Sequence, residues 1–158
     1  MIEVTITDEM LLAARAKAVE MGKINNSILK GGGNVAGFLG EQVAMSVLGG
    51  DWNNTYDYDF TTEAGKRVEV KTKQTSVKPL PHYECSIAKF NTKQDCDAYA
   101  FVRVLNDFSI GWFLGVLTKE TYFDKANFLK KGDVDPSNNY TVKADCYNVR
   151  IDQLEEKI

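Results

Sequence analysis

Apolar and polar residues recur with a helical period in the first fifty residues of the chain. Asp8 to Met21 follows a capping threonine, carries acidic residues in its first turn and stops before a glycine, which predicts a helix. Val35 to Leu48 is predicted to be a second helix, because Asn34 can cap its start and two glycines follow its end. Residues 1–50 are therefore expected to be the helical part of the fold.

The pattern then changes to the alternation that is typical of strands. Tyr56 to Thr62 and Arg67 to Gln74 are predicted to be two strands joined by a tight turn. Three further strands and a helix are predicted at residues 82–90, 98–105, 111–118 and 119–130. The end of the chain is ambiguous, and we expect a short strand followed by a turn of helix. This order predicts a single α/β domain over residues 1–158: a mixed five-stranded sheet, with its core at about 51–118, flanked by helices.

Composition narrows the class of protein. The chain has 158 residues, of which 44% are hydrophobic and 26% charged, as in ordinary globular proteins. No apolar run approaches the roughly 18 residues of a membrane span, so no membrane partner is expected. Cys85, Cys96 and Cys146 are odd in number and form no CxxC pair, which favours reduced thiols and a cytoplasmic location. A zinc site with His82 is less favoured, because strand alternation places His82 and Cys85 on opposite faces.

The charge is unevenly distributed along the chain. The formal net charge of −3 argues against a protein that coats nucleic acid through bulk charge. Residues 63–93, however, carry seven basic side chains against three acidic ones. This segment indicates either a local groove for a polyanion or a solvated sheet face.

Three acidic residues are predicted to converge. Strand alternation places Glu69 and Lys71 on one face, and Asp59 of the preceding strand falls opposite Glu69 or one step diagonal to it. Glu41 lies on the second helix among small and apolar neighbours, so it faces the sheet. A carboxylate there is unfavourable unless it is paired or binds a cation. The alternatives are that Glu41 is solvated at the edge of the stripe and that Lys71 only forms a salt bridge.

Glu41 in a helix, Asp59 in one strand and the Glu69–Lys71 segment in the next resemble the PD-(D/E)XK nuclease superfamily. The resemblance extends over Asn34 to Gln74 and is nearest to small phage and prokaryotic endonucleases and to archaeal Holliday-junction resolvases. It implies a restriction-endonuclease-like core. The residue before Asp59 is a tyrosine instead of the proline of the motif, and Asp57 is a rival for the motif aspartate.

The resemblance implies a metal-dependent endonuclease that hydrolyses phosphodiester bonds in DNA. Asp59 and Glu69 would bind Mg²⁺, for which Mn²⁺ substitutes, and the carbonyl of Val70 would add a ligand. Glu41 would complete the metal shell, and Lys71 would position or activate the attacking water. The alternatives are a structure-selective Holliday-junction resolvase, a non-catalytic nucleic-acid-binding module on the same fold, and a structural phage or host-interaction protein with a surface ion network.

DNA contacts are expected at two places. Lys30 and Asn34 belong to a glycine-rich segment before the second helix, whose N-terminus favours phosphate. Lys73, Gln74 and Lys78 belong to the basic segment; the alternative for Gln74 is an ordinary polar strand end. The glycine-rich segment lacks the GK[ST] ending of a phosphate loop, so no nucleotide cofactor is expected. Because cutting both strands takes two active sites, a homodimer is also expected. The resemblance to phage endonucleases is consistent with a phage origin.

Overall fold

The computed structural model describes residues 1–25 and 34–158. Over these residues the chain forms three α-helices: α1 (Asp8–Asn25), α2 (Val35–Leu48) and α3 (Lys119–Lys125). Its strands are β1 (Ile2–Thr5), β2 (Asp51–Trp52), β3 (Phe60–Thr61), β4 (Arg67–Thr75), β5 (Glu84–Ala88), β6 (Ala98–Leu105), β7 (Ile110–Thr118), β8 (Asn127–Leu129) and β9 (Cys146–Arg150). None of the helices in these ranges combines the length and apolar character needed to cross a bilayer.

The main sheet is mixed and has six strands in the order β1-β7-β6-β4-β3-β2, in which only β4 and β6 run parallel. The α/β class is confirmed, whereas the expected five-stranded sheet is wrong. Strands β1 and β2 join the sheet, and the segment expected as its third strand, β5, pairs with β9 in a separate three-stranded sheet. The reason is burial: β6 is apolar on both faces and takes the central place beside β4, whereas β5 buries only Cys85 and Ile87.

One face of the main sheet is covered by α1 and α2. Leu39 and Val43 of α2 are fully buried against Val68 of β4 and Phe113 of β7. Helix α2 has the bounds that the sequence predicts, but Asn34 makes no side-chain capping bond, contrary to expectation. Helix α1 continues past Met21 to Asn25, so the glycine at position 22 does not end it.

The other face packs against the small sheet and α3. Tyr122 of α3 is fully buried, and its hydroxyl donates to the carbonyls of Cys85 at 2.9 Å and Tyr147 at 2.7 Å. The helix predicted over residues 119–130 ends at Lys125, because Asn127–Leu129 pairs with β9 instead. Polar side chains on this face of the main sheet are therefore enclosed between the two sheets instead of being exposed to solvent.

Strand β3 is much shorter than the predicted strand over Tyr56 to Thr62. The hydroxyl of Thr55 accepts hydrogen bonds from the backbone N–H groups of Asp57 at 3.2 Å and Tyr58 at 3.0 Å. This local turn competes with extended backbone and removes residues 56–58 from the ladder. Strand β4 continues to Thr75 well beyond its last pairing with β3, so it has an open edge at the point where the predicted site residues lie.

Candidate active site

The alternation predicted for β4 is confirmed. Val68 and Val70 enter the core beneath α2, whereas Glu69 and Lys71 leave the opposite face. Glu69 is nevertheless only 7% exposed, because the second sheet covers this face. A buried carboxylate in a strand interior requires a partner. Its immediate partner is Lys71, whose Nζ lies 2.6 Å from Glu69 Oε1.

Asp59 lies at the open edge of β4. Phe60 pairs with Val68, and the Asp59 N–H also donates to the carbonyl of Val68 at 2.9 Å, so Asp59 lies at the end of the β3–β4 ladder. The N–H of Val70 donates to Asp59 Oδ2 at 2.8 Å, so the side chain continues the ladder where β3 ends. Because the N–H and C=O of one strand residue point to the same side, the Val70 carbonyl faces this edge as well.

Glu41 reaches the same edge from α2. It is 7% exposed, and its Oε2 accepts a hydrogen bond of 2.5 Å from Trp52 Nε1. The helix can approach β4 so closely because residue 40 is glycine: a Cβ at Gly40 would lie 1.9 Å from the Thr72 hydroxyl. The prediction that Glu41 faces the sheet is therefore confirmed.

These residues surround one cavity of about 360 Å³. Its lining includes Glu41, Asp59, Glu69, Val70 and Lys71. The residues come from both faces of the sheet, and they can meet because β3 stops short and leaves the edge of β4 open. The structure thus brings together every residue that the sequence predicts as catalytic.

Negative charge exceeds positive charge at this cavity. Burial raises the pKa of Glu41, although the Trp52 hydrogen bond and the charge of Lys17 act in the opposite direction. Burial also raises the pKa of Asp59, and the nearby charges of Glu41 and Glu69 raise it further. A bound cation would relieve both effects, because it favours the ionised carboxylates.

Lys71 is held by a second residue that sequence reasoning did not identify. Gln94 is 9% exposed, and its Oε1 accepts from Lys71 Nζ at 3.2 Å. Its Nε2 donates to the carbonyl of Tyr56 at 3.0 Å, which fixes the orientation of the amide. Gln94 precedes β6, far from the motif in sequence, and no local pattern indicates its role.

Lys17 and Trp52 were also missed. Lys17 Nζ lies 3.4 Å from the centre of the Trp52 ring, where the cation–π attraction is favourable. Burial lowers the pKa of Lys17, whereas the charges of Glu41 and Asp59 raise it. The sequence presents Trp52 as a core or base-stacking aromatic and Lys17 as one of several charges on α1. Their pairing depends on the packing of α1 beside α2.

The predicted DNA-binding residues occupy different places. Lys73 is exposed on β4 and lines the active-site cavity, whereas Gln74 and Lys78 are exposed farther along β4 and in the loop after it. Asn34 is exposed and lines a cavity of about 190 Å³ that shares Glu41 and Asp59 with the first one. Lys30 lies outside the described residues.

The rival aspartate, Asp57, has a different environment. Its Oδ1 accepts from the Asp95 N–H at 3.1 Å, so it ties two loops together. Of the two residues, Asp59 and not Asp57 lines the cavity.

The donor set at the cavity fits a hard cation. Over residues 1–25 and 34–158, no three His, Cys, Asp or Glu side chains are gathered closely enough to hold a metal ion as they stand. Mg²⁺, however, takes only one or two carboxylates together with water and phosphate oxygens. Asp59, Glu69 and the Val70 carbonyl supply oxygen donors of this kind. Burial and then the charges of Glu41 and Glu69 raise the pKa of Asp59, and a cation would counter both by favouring the ionised carboxylate.

Neither a protein-family model nor a curated protein matches this chain. What supports a function is therefore the geometry at the open edge of β4, together with the motif formed by Glu41, Asp59 and Glu69–Lys71.

Proposed function

We propose that the protein is a metal-dependent endonuclease that hydrolyses phosphodiester bonds in DNA. The observation that carries this proposal is the meeting of Glu41, Asp59 and Glu69 at one cavity, with the Lys71 ammonium 2.6 Å from Glu69. Two buried carboxylates and a half-buried one close together do not serve to stabilise a fold, since charges in low dielectric are destabilising unless they are compensated. Such an arrangement is typical of functional sites.

Asp59, Glu69 and the Val70 carbonyl would hold Mg²⁺ or Mn²⁺, with Glu41 completing the set. When bound, the metal polarises the phosphodiester and lowers the pKa of water at the site. The Trp52 hydrogen bond keeps the carboxylate of Glu41 directed at the cavity. The Val70 N–H does the same for Asp59.

Lys71 would act on the reacting phosphate. Glu69 and Gln94 hold its ammonium in the cavity, where it can donate to a phosphate oxygen and neutralise the charge that develops there. In the reaction the water oxygen bonds to phosphorus while the bond from phosphorus to the 3′ oxygen breaks. One proton leaves the water and one is taken up by the 3′ oxygen. The products carry 5′-phosphate and 3′-hydroxyl ends.

DNA is proposed as the substrate because basic side chains extend from the site. Lys73 and Lys78 are exposed on β4 and after it, and Lys89 and Lys93 are exposed beyond β5. Binding through such residues should weaken as salt rises. The described part of the chain offers one set of these catalytic residues, so nicking of one strand is the expected product and a double-strand cut would require a homodimer.

The test is cleavage of labelled linear duplex, single strands, flaps and four-way junctions with Mg²⁺, with Mn²⁺ and with EDTA. We expect metal-dependent cleavage by the wild type, its loss in Glu69→Gln, and its retention in Glu63→Gln, which changes an exposed acid in the turn before β4. Equal cleavage by wild type and Glu69→Gln would overturn the proposal. Salt-sensitive binding of DNA without cleavage in either metal would show a non-catalytic binding module instead, and preference for the junction would identify a resolvase.

A further inference from the structure

A second cavity adjoins the active-site cavity. This side chamber has a volume of about 400 Å³, within the range of ligand sites, and its lining includes Lys73, Glu84, Asp135, Asn138, Tyr140 and Asn148. Lys73, Glu84 and Ser86 line both cavities, so the two are adjacent. A substrate in the active site would reach the side chamber by passing these shared side chains.

Two side chains that line the side chamber are almost entirely buried, and each keeps a polar atom that contacts the chamber. Asn148 is 5% exposed; the Cys146 thiol lies 3.7 Å from its Oδ1, and no described residue accepts from its Nδ2. Asp135 is 6% exposed, and the N–H and hydroxyl of Ser137 both donate to its Oδ1. No described residue donates to the other oxygen, Oδ2. Asn148 Nδ2 and Asp135 Oδ2 are not among the buried atoms that lack a partner, so they are accessible from the chamber, where a polar ligand or water can bind them.

The charges of the side chamber limit the kind of ligand. Glu84 and Asp135 oppose a phosphate group, and burial together with the charge of Asp135 raises the pKa of Glu84. Lys73 and the Asn148 amide oppose a bare cation. The ligand that suits these charges is therefore a neutral group that carries both hydrogen-bond donors and acceptors. Carboxylates accept from the amino groups of bases, and amides bind their ring edges.

We propose that the side chamber binds the hydrogen-bonding edge of an unpaired nucleobase that carries an amino group, next to the phosphate in the active site. This inference rests on the proposed function and narrows its substrate to DNA with a single-stranded or distorted segment. Glu84 or Asp135 accepts from the amino group, and Asn148 Nδ2 donates to a ring nitrogen or carbonyl. Tyr140, which is 52% exposed, offers a ring on which a base can stack.

The test measures fluorescence anisotropy of labelled dT12 strands in which one central thymine is kept or replaced by cytosine or adenine, in EDTA so that nothing is cut. We expect the amino-bearing strands to bind about ten-fold more tightly than the all-thymine strand. In Glu84→Gln, which can donate as well as accept, this preference should fall to about two-fold or less. Glu120→Gln, an exposed acid on α3, should keep it. Equal affinities in the wild type, or an unchanged preference in Glu84→Gln, would overturn the proposal.

A second measurement guards against a misfolded variant and separates this inference from the proposed function. The melting temperature of Glu84→Gln should match the wild type, since Glu84 accepts only a 3.3 Å bond from the Ser137 hydroxyl. Cleavage positions mapped on a random single strand with Mn²⁺ should show amino-bearing bases at one fixed distance, and Glu84→Gln should lose this bias. Cleavage with no preference for bases near the cut would overturn the proposal for the side chamber but not the proposed nuclease function. Base-selective binding without cleavage would overturn the proposed nuclease function and leave the side chamber as a base-binding site.

Discussion

Two clusters of charged side chains lie along β4, and they differ in how their charges are balanced. At the start of the strand, Arg67 donates from Nη1 to Asp95 at 2.8 Å and from Nη2 and Nε to Asp97 at 2.9 Å and 3.1 Å. Every carboxylate of this Arg67 cluster has a guanidinium partner. These bonds hold the pKa of Asp97 at about 2.

The cluster at the open edge of β4 has the opposite balance. Glu41, Asp59 and Glu69 share the cavity, and Lys71 is bound to Glu69 alone among them. Burial raises the pKa of both Glu41 and Asp59. A structural ion network lowers the pKa of its acids, whereas this cluster raises the pKa of two of them. With its acids ionised the cluster has an excess of negative charge, which protons neutralise in the metal-free protein and a bound cation would neutralise in their place.

The assignment of different roles to the two clusters is tested most directly by neutralising one acid at a time in each cluster. Asp59→Asn and Glu69→Gln should reduce the single-turnover cleavage rate by about 100-fold or more, because they remove oxygen donors for the metal. Asp97→Asn should leave the rate within about three-fold and lower the melting temperature slightly, because exposed ion pairs contribute little to stability. A 100-fold loss in Asp97→Asn together with full activity in Asp59→Asn would reverse our assignment of the two clusters.

The position of the acids depends on how closely α2 approaches β4. Gly40→Ala should destabilise the protein by about 1–3 kcal/mol and lower activity, because a Cβ would lie 1.9 Å from the Thr72 hydroxyl and push Glu41 away from the cavity. Gly37→Ala is the matched control, since nothing lies within 4 Å of its added Cβ. Its stability in urea unfolding should be unchanged or higher, because alanine favours helix. Equal unfolding midpoints for the two variants would contradict the packing argument.

The two tryptophans allow a smaller effect to be measured. Each donates from Nε1 to a glutamate, Trp52 to buried Glu41 and Trp112 to exposed Glu3 at 3.0 Å. Trp52→Phe should weaken Mn²⁺ binding by about ten-fold, because the carboxylate of Glu41 loses the donor that orients it. Trp112→Phe should not change the affinity. If the two variants bind Mn²⁺ equally well, the Trp52 hydrogen bond has no role in the site.

The two clusters should also respond to pH with opposite signs. The raised pKa values of Glu41 and Asp59 contribute stability that is fully present below the ordinary carboxyl range, about pH 4, and is lost as pH rises through the raised values. The lowered pKa of Asp97 contributes stability above that range, which is lost as pH falls towards 2. In EDTA, the urea midpoint of Asp59→Asn should therefore fall less than that of the wild type from pH 5 to 8. Identical slopes for the two proteins would contradict the charge excess.

Part of this structure follows from local sequence. Helix α2 and strand β6 have the bounds that their patterns predict, because capping, glycine stops and continuous apolar runs are local signals. The alternation that separates Val70 from Glu69 is equally local, and the short pairing of β3 with β4 then brings the Asp59 side chain to the Val70 N–H. The residues of the motif could therefore be placed together before the fold was known.

Other parts depend on contacts between distant segments. Strand β5 has a recognisable pattern, yet its sheet is decided by competition with β6 for the place beside β4. Lys17 and Gln94 reach the site from α1 and from the segment before β6, so nothing near the motif indicates them. The excess of acidic residues at the cavity cannot be predicted from sequence either. The Arg67 cluster contains the same kinds of residue along the same strand, yet its charges are balanced.

The most direct test of the account is calorimetric titration of the wild type and Asp59→Asn with Mn²⁺ in two buffers that differ in ionisation heat. The raised pKa values of Glu41 and Asp59 predict saturable binding that releases protons, because the metal displaces them from the carboxyls. Asp59→Asn should bind much more weakly and release fewer protons. Absence of saturable binding in the wild type, or an identical titration of Asp59→Asn, would contradict a metal site at the open edge of β4.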